Sequence, residues 1–194
     1  RGVVYVFGGL RGGCVLDSVM RFDPVQSQWV ALRSMPTERF EFAVAASEGR
    51  IYVVGGADRS GTPLAVTECY LPAENQWRSA QGMVEARYRC AAAAVGASLY
   101  AFGGHGKWGE IGTVERLRLG GDGAAWAVVA EMPLPRGCVS SAVSAGSVYI
   151  LRHGGEAREG LPMLSFDPGT LEWQALPPMP RQFSHTLAVG VLEE

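Results

Sequence analysis

The chain lacks most of the features that announce chemistry. Its four cysteines, Cys14, Cys69, Cys90 and Cys138, form no C-x-x-C pair, so their spacing carries no zinc signal. They read as small apolar fillers of strands and as reduced thiols of a cytosolic protein, with Cys14 alone falling in an expected loop. An excess of positive charge is missing: 17 basic residues stand against 19 acidic ones, for a net charge of −2. That leaves no basic footprint for nucleic acid. No apolar run reaches the length needed to cross a bilayer, and no leader peptide is visible from Arg1 onward. Helical periodicity is absent as well. The glycines therefore have no strand-loop-helix setting in which to cradle a phosphate.

Glycine itself is plentiful, at 26 residues. No G-X-Y period runs through the chain, and the glycines cluster in pairs, as turns between short strands require. The aromatic residues keep the same beat. Tyr5, Tyr52, Tyr100 and Tyr149 are separated by 47, 48 and 49 residues, and Trp29, Trp77, Trp126 and Trp173 by 48, 49 and 47. Met35, Met83, Met132 and Met179 each follow their tryptophan by six residues. Three markers holding one phase define an internal repeat. In its second copy, residues 42–47, 50–54, 64–71 and 76–79 read as four strands. They are separated by a Ser47-Glu48-Gly49 turn, the Gly55-Gly56 pair with a loop to about Pro63, and a Pro72-Ala73-Glu74-Asn75 turn.

Four short antiparallel strands in about 48 residues, with no helix between them, make the unit of a β-propeller blade. No blade can bury both faces alone, so neighbours supply each other's core. A glycine pair ending the second strand permits positive φ and close backbone approach. A tryptophan on the outer strand supplies buried area between sheets. The pairs are Gly8-Gly9, Gly55-Gly56 and Gly103-Gly104, and the turns are Phe22-Asp23-Pro24, Tyr70-Leu71-Pro72 and Phe166-Asp167-Pro168. Segments running on from the repeat methionines reach Arg39, Arg87 and Arg136. On these residues the chain resembles the kelch repeat family over nearly its whole length. The resemblance implies an all-β kelch-type propeller in one domain, 1–194. Its units fall at about 1–40, 41–88, 89–136 and 137–182, with 183–194 as the first strand of a next or ring-closing blade. Part of a larger ring is the favoured expectation, since kelch rings usually have about six blades; a closed four-blade ring is the alternative. The fourth copy departs from the pattern, with Arg152-His153 where the glycine pair should stand and Gly154-Gly155 two residues late. In the third, Gly120-Gly121-Asp122-Gly123 replaces the usual turn.

Two sets of loops are expected on one face. Those after the second strands cover about 10–17, 57–63, 105–112 and 154–160; those before the first cover about 35–40, 83–88, 132–136 and 179–182. Loops on a rigid scaffold commonly carry function. Here they hold Arg11, Arg39, Arg59, Arg87, Arg89, Lys107, Arg136, Arg152 and Arg158, with Asp17, Asp58, Glu110, Glu156 and Glu159 interleaved. A guanidinium is a planar fork that takes a carboxylate bidentately. Arg39, Arg87 and Arg136 recur in phase and are expected to be structural, each paired with a buried acid such as Glu68 or Glu115. Two residues later the repeat varies, through Glu41, Arg89, Cys138 and Phe183, as a recognition position should, and the resemblance puts ligand contact there. Arg89 is the strongest candidate for gripping an acidic group, with Glu41, Tyr88, Phe40, His105, Trp108, Arg152 and His153 as further candidates. Trp108 could equally pack its own loop.

The resemblance implies a protein-binding module rather than an enzyme. It would need no cofactor and would capture a protein partner or acidic peptide, as kelch adaptors of cullin-type ubiquitin ligases do. A BTB or F-box assembly region would lie outside this chain. A cytoskeletal scaffold is the alternative, and a kelch-fold oxidase or sugar-acid isomerase a weaker one. A copper site needs several nitrogen and oxygen donors converging. Only three histidines are present, His105, His153 and His185. The first two stand at equivalent loop starts of neighbouring blades, and no motif joins them; His185 falls in an expected strand.

Overall fold

A computed structural model of the chain describes residues 3–121, 123–133, 137, 139–152 and 162–178, with the Arg152 side chain left out. Every regular element among them is a strand. Sheet I holds β1 (Val4–Arg11), β2 (Cys14–Asp23) and β3 (Gln28–Leu32). Sheet II holds β4 (Ala43–Ser47), β5 (Arg50–Val54), β6 (Thr67–Leu71) and β7 (Gln76–Ala80). Next come β8 (Ala91–Val95) and β9 (Ser98–Phe102), a small hairpin of β10 (His105–Gly106) and β11 (Gly109–Glu110), then β12 (Thr113–Arg118) and β13 (Trp126–Glu131). Of these, β8, β9, β12 and β13 form sheet III. Sheet IV holds β14 (Val139–Ser144), β15 (Ser147–Arg152), β16 (Met163–Asp167) and β17 (Glu172–Leu176). Each sheet is an antiparallel meander, so the strands of a blade follow one another in space as in sequence. Residues 183–194, expected to supply a further first strand, lie outside the described residues.

The repeated tyrosine occupies the same rung throughout. Tyr5 faces Arg21, Tyr52 faces Cys69, Tyr100 faces Arg116 and Tyr149 faces Ser165. Alternation along each strand then gives every sheet two apolar faces. Tyr52, Val54, Cys69 and Leu71 of sheet II pack on Leu99, Ala101, Leu117 and Trp126 of sheet III. The opposite face of sheet III, with Tyr100, Phe102 and Val114, packs on Val148, Ile150, Leu164 and Phe166 of sheet IV. Between sheets I and II, Phe7 meets Trp77 edge-on with ring centroids 5.9 Å apart, and Tyr5 meets Tyr70 at 6.2 Å. Each fully buried side chain of this kind stabilises the stack by about 1.5–3 kcal/mol.

The tryptophans are not equally buried. Trp126 is 5% exposed, Trp77 and Trp173 are half-buried, and Trp29 is 53% exposed. Trp29 lies on the face of sheet I that also bares Val4 and Val6. The corresponding residues of sheet II, Val53 and Trp77, pack against sheet I; no described sheet covers Val4, Val6 and Trp29.

Some boundaries also differ from expectation. The third strand of sheet II begins at Thr67, not at Leu64, because the preceding backbone is already engaged. Leu64 N donates to Gly56 O at 2.8 Å, while Ala65 O and Val66 O accept from Met83 N and Gly55 N at 2.8 and 2.9 Å. Residues 10–17 are mostly strand, since β1 and β2 continue to a Gly12-Gly13 turn; Cys14 is thus an exposed strand residue beside that turn. Residues 105–112 carry the β10–β11 hairpin. Gly56 shows why the glycine pair is needed. Its φ is +100°, and a Cβ there would stand 2.9 Å from both Phe40 O and Phe42 Cβ.

Candidate functional site

The segment between β3 and β4 carries the chain from sheet I to sheet II, and the one between β7 and β8 carries it from sheet II to sheet III. Both are fastened in the same way. Arg39 N donates backwards to Leu16 O of sheet I, and Arg87 N to Leu64 O at 3.0 Å. Their guanidinium groups reach forwards. Arg39 Nη1 donates to Gly55 O and Val66 O at 3.0 and 3.1 Å, and Nη2 to the Glu68 carboxylate. Arg87 Nη1 donates to Gly103 O and Thr113 O at 3.0 Å, and Nη2 to Thr113 Oγ1 at 2.9 Å and Glu115 Oε1 at 2.5 Å. Each arginine is therefore a staple with its backbone in one sheet and its charge in the next. All four charged side chains are buried, at 0–3% exposure. Glu115 also accepts from Val84 N and Glu85 N, and Glu68 accepts from Thr37 Oγ1 at 2.7 Å. Burial holds the Arg39 guanidinium below its ordinary pKa, against the attraction and hydrogen bond of Glu68.

Sheet IV carries a different residue at the rung of the stapling glutamates. Glu68 faces Val53 and Glu115 faces Ala101, whereas the equivalent rung of sheet IV pairs Ile150 with Leu164. Arg136 itself lies outside the described residues. Trp77 Nε1 donates to Arg33 O and Trp126 Nε1 to Gln81 O, each at 2.9 Å across a junction. Trp173 Nε1 is buried and has no hydrogen-bond partner among the described residues.

Two residues beyond each stapling arginine, Glu41 and Arg89 both have φ of 53°, in the left-handed region. Such a conformation costs a non-glycine residue on the order of 1 kcal/mol and often marks a functional position. Arg89 N donates to Glu41 O at 2.8 Å, and Val139 N donates to Arg89 O at 3.2 Å, so the entries to three successive innermost strands are linked laterally. The two side chains meet. Arg89 Nε and Nη2 donate to Glu41 Oε2 and Oε1, both at 2.8 Å, as a bidentate pair. Arg89 is 44% exposed and Glu41 31%.

Aromatic groups flank this pair. The Arg89 guanidinium lies 5.5 Å from the Tyr88 ring centroid, and that ring is 5.5 Å from His105. A backbone bridge joins them, with Tyr88 N donating to His105 O and His105 N to Tyr88 O. Phe40, half-buried, bridges Ala57 in the same way one blade earlier. These bridges place the two loop sets on one face. Gly137 lies so close to the His105 ring that a side chain there would overlap it. Trp108, at the tip of the β10–β11 hairpin, is 90% exposed and touches the Lys107 ammonium, 4.9 Å from its ring centroid. It stands out into solvent rather than filling its loop.

The face is less cationic than its composition suggests. Arg39 and Arg87 are buried, Arg89 is paired, and Arg59 pairs with Glu38 at 2.6 Å. The Glu38–Arg59 pair is not apparent from the repeat phase; only the adjacency of the two loop sets brings it together. Glu41, Tyr88, Arg89 and His105 form one cluster, with Trp108 on the hairpin His105 begins and Phe40 one junction away. His153, Cys138, Arg158, Phe183, His185 and the Arg152 side chain lie outside what is described. Among the described residues, no three His, Cys, Asp or Glu side chains are grouped to hold a metal ion, and no helix is long and apolar enough to cross a membrane.

The sequence matches known proteins along its whole length. The family model described as the KLHDC2/KLHL20/DRC7 Kelch-repeats domain covers residues 1–190. Kelch-like protein 35 of Mus musculus is 32% identical over 196 residues, spanning 100% of this chain and 33% of that protein. Kelch-like protein 9 of Mus musculus is 37% identical over 71 residues, 34% of this chain and 11% of that protein. Kelch-like protein 26 of Danio rerio is 35% identical over 71 residues, 34% of this chain and 12% of that protein. The chain thus spans about a third of the longest-matching of these relatives. With stacked four-stranded sheets in phase with the sequence repeat, and a family match over nearly every residue, the chain belongs to the kelch repeat family.

Proposed function

We propose that this kelch domain is a protein-recognition module that captures a short segment of its partner on the Arg89 face. In the full-length protein it would select substrates for a cullin-type ubiquitin ligase. The observation that carries the recognition reading is the half-exposed Glu41–Arg89 pair, held at two left-handed positions and flanked by Tyr88, His105 and the bare Trp108. Large aromatic and arginine side chains on a rigid support are the usual anchors of a binding surface. The ligase role rests on likeness to the kelch-like proteins. Free thiols at Cys14, Cys69 and Cys90 suit a reducing compartment, and we place the protein in the cytoplasm.

The recognition reading is tested by selecting binders from a displayed peptide library on the purified chain. Selected peptides are then measured against Arg89→Glu and Trp108→Ala. Each change is expected to weaken binding by roughly tenfold or more, with the thermal midpoint kept. Unchanged binding in both would overturn it. For the ligase role, the full-length protein should co-purify with a cullin, and Arg89→Glu should reduce ubiquitination of the captured partner. Recovery of no cullin would remove the ligase assignment and leave the recognition module.

A further inference from the structure

We infer that the Arg89 face selects a segment carrying an acidic and a basic side chain together, the acid replacing Glu41 on Arg89 and the base replacing Arg89 on Glu41. This rests on the recognition reading and specifies the ligand class. Arg89 already holds a carboxylate. Its Nε and Nη2 both donate to Glu41 in the bidentate geometry that a ligand carboxylate would want, at 2.8 Å each. A purely acidic ligand would therefore exchange two hydrogen bonds for two and gain nothing in their number. It would also bring a second carboxylate beside Glu41 around a single guanidinium. Like charges about 5 Å apart at a protein surface repel enough to cost roughly tenfold in affinity.

A ligand with both charges avoids that cost. It converts one internal pair into two intermolecular pairs, conserves charge, and leaves neither Glu41 nor Arg89 without a counter-ion. Tyr88 lies beside Arg89 and would remain as a platform for the exchange. The pattern is not confined to one position, since Glu38 and Arg59 form a second exposed pair on the same face. A surface laid out as glutamate–arginine pairs is complementary to a partner laid out the same way, and Glu41 is the residue that sets the preference.

The test uses three labelled peptides of equal length, with alternating Glu and Lys, with Glu and Gly, and with Gln and Gly. Their binding to the purified chain is read by fluorescence anisotropy at roughly 0.15 M salt. The natural sequence should bind the mixed peptide roughly fivefold or more tighter than the acidic one. Glu41→Gln should reverse that order, and Arg89→Gln should lose both. Exchanging the two, Glu41→Arg with Arg89→Glu, should restore the mixed preference. Equal or tighter binding of the acidic peptide by the natural sequence, or a ratio unmoved by Glu41→Gln, would overturn this inference while leaving recognition through Arg89 standing. Failure of every peptide to bind any form would overturn both.

Discussion

Arg87 and Arg89 leave the same linker two residues apart; Arg87 meets a glutamate of sheet III and Arg89 one at the entry to sheet II. Arg87 and Glu115 are both fully buried, and the guanidinium also takes up the carbonyls of Gly103 and Thr113. Arg89 is 44% exposed and Glu41 31%, with solvent on one side. The same two residue types thus stand in opposite electrostatic regimes. A buried pair gains little over an apolar replacement, because desolvation consumes most of the attraction, but losing one partner strands a charge. An exposed pair is worth about 0–1 kcal/mol and can be broken and remade. Burial makes Arg87 part of the frame, and exposure makes Arg89 exchangeable. In sheet IV, Leu164 occupies the rung that Glu68 and Glu115 hold in sheets II and III.

The largest effect should come from removing a buried acid alone. Glu68→Leu leaves Arg39 without its carboxylate and should cost about 3–5 kcal/mol in urea unfolding, whereas Glu68→Leu with Arg39→Leu should recover most of it. The double change imitates the leucine of sheet IV. A single change as mild as the double would break the comparison.

Cys90 sharpens it further. This thiol follows Arg89, is buried between sheets II and III, and is pushed up to about 11 by desolvation. The native state keeps its proton after the unfolded chain has given it up near pH 9. The stability this contributes is complete below about pH 9 and lost as pH rises towards about 11. At pH 8 Cys90 should resist alkylation while exposed Cys14 reacts. Arg87→Gln should speed Cys90 alkylation by roughly tenfold or more by opening the junction, and Arg89→Gln should not. Mass spectrometry of the labelled thiols distinguishes the two. Smaller still, Trp126→Phe removes the bond to Gln81 O and should cost about 1 kcal/mol more than Trp173→Phe, whose indole has no such partner among the described residues. Thermal midpoints of the two variants measure the difference.

The repeat, the four-sheet organisation and the pairing of Arg39 and Arg87 with Glu68 and Glu115 are all legible in the sequence. Each depends on residues recurring at one spacing. The Arg89–Glu41 pair is not legible, although both residues stand out individually. Its formation requires two left-handed residues 48 positions apart to aim their side chains at each other. The start of β6 was similarly hidden, because Leu64, Ala65 and Val66 look like strand while their backbone groups serve neighbouring loops. The exposure of Trp29 could not be read either, since burial of a blade face depends on which sheet stands beside it and not on the face's own composition.

Urea unfolding of Arg87→Gln and Arg89→Gln side by side tests the division between frame and recognition most directly. Arg87→Gln should lower the midpoint by about 1 M or more, and Arg89→Gln should leave it within about 0.3 M of the natural sequence. An Arg89→Gln chain that unfolds as early as Arg87→Gln would mean that the exposed pair is part of the frame after all.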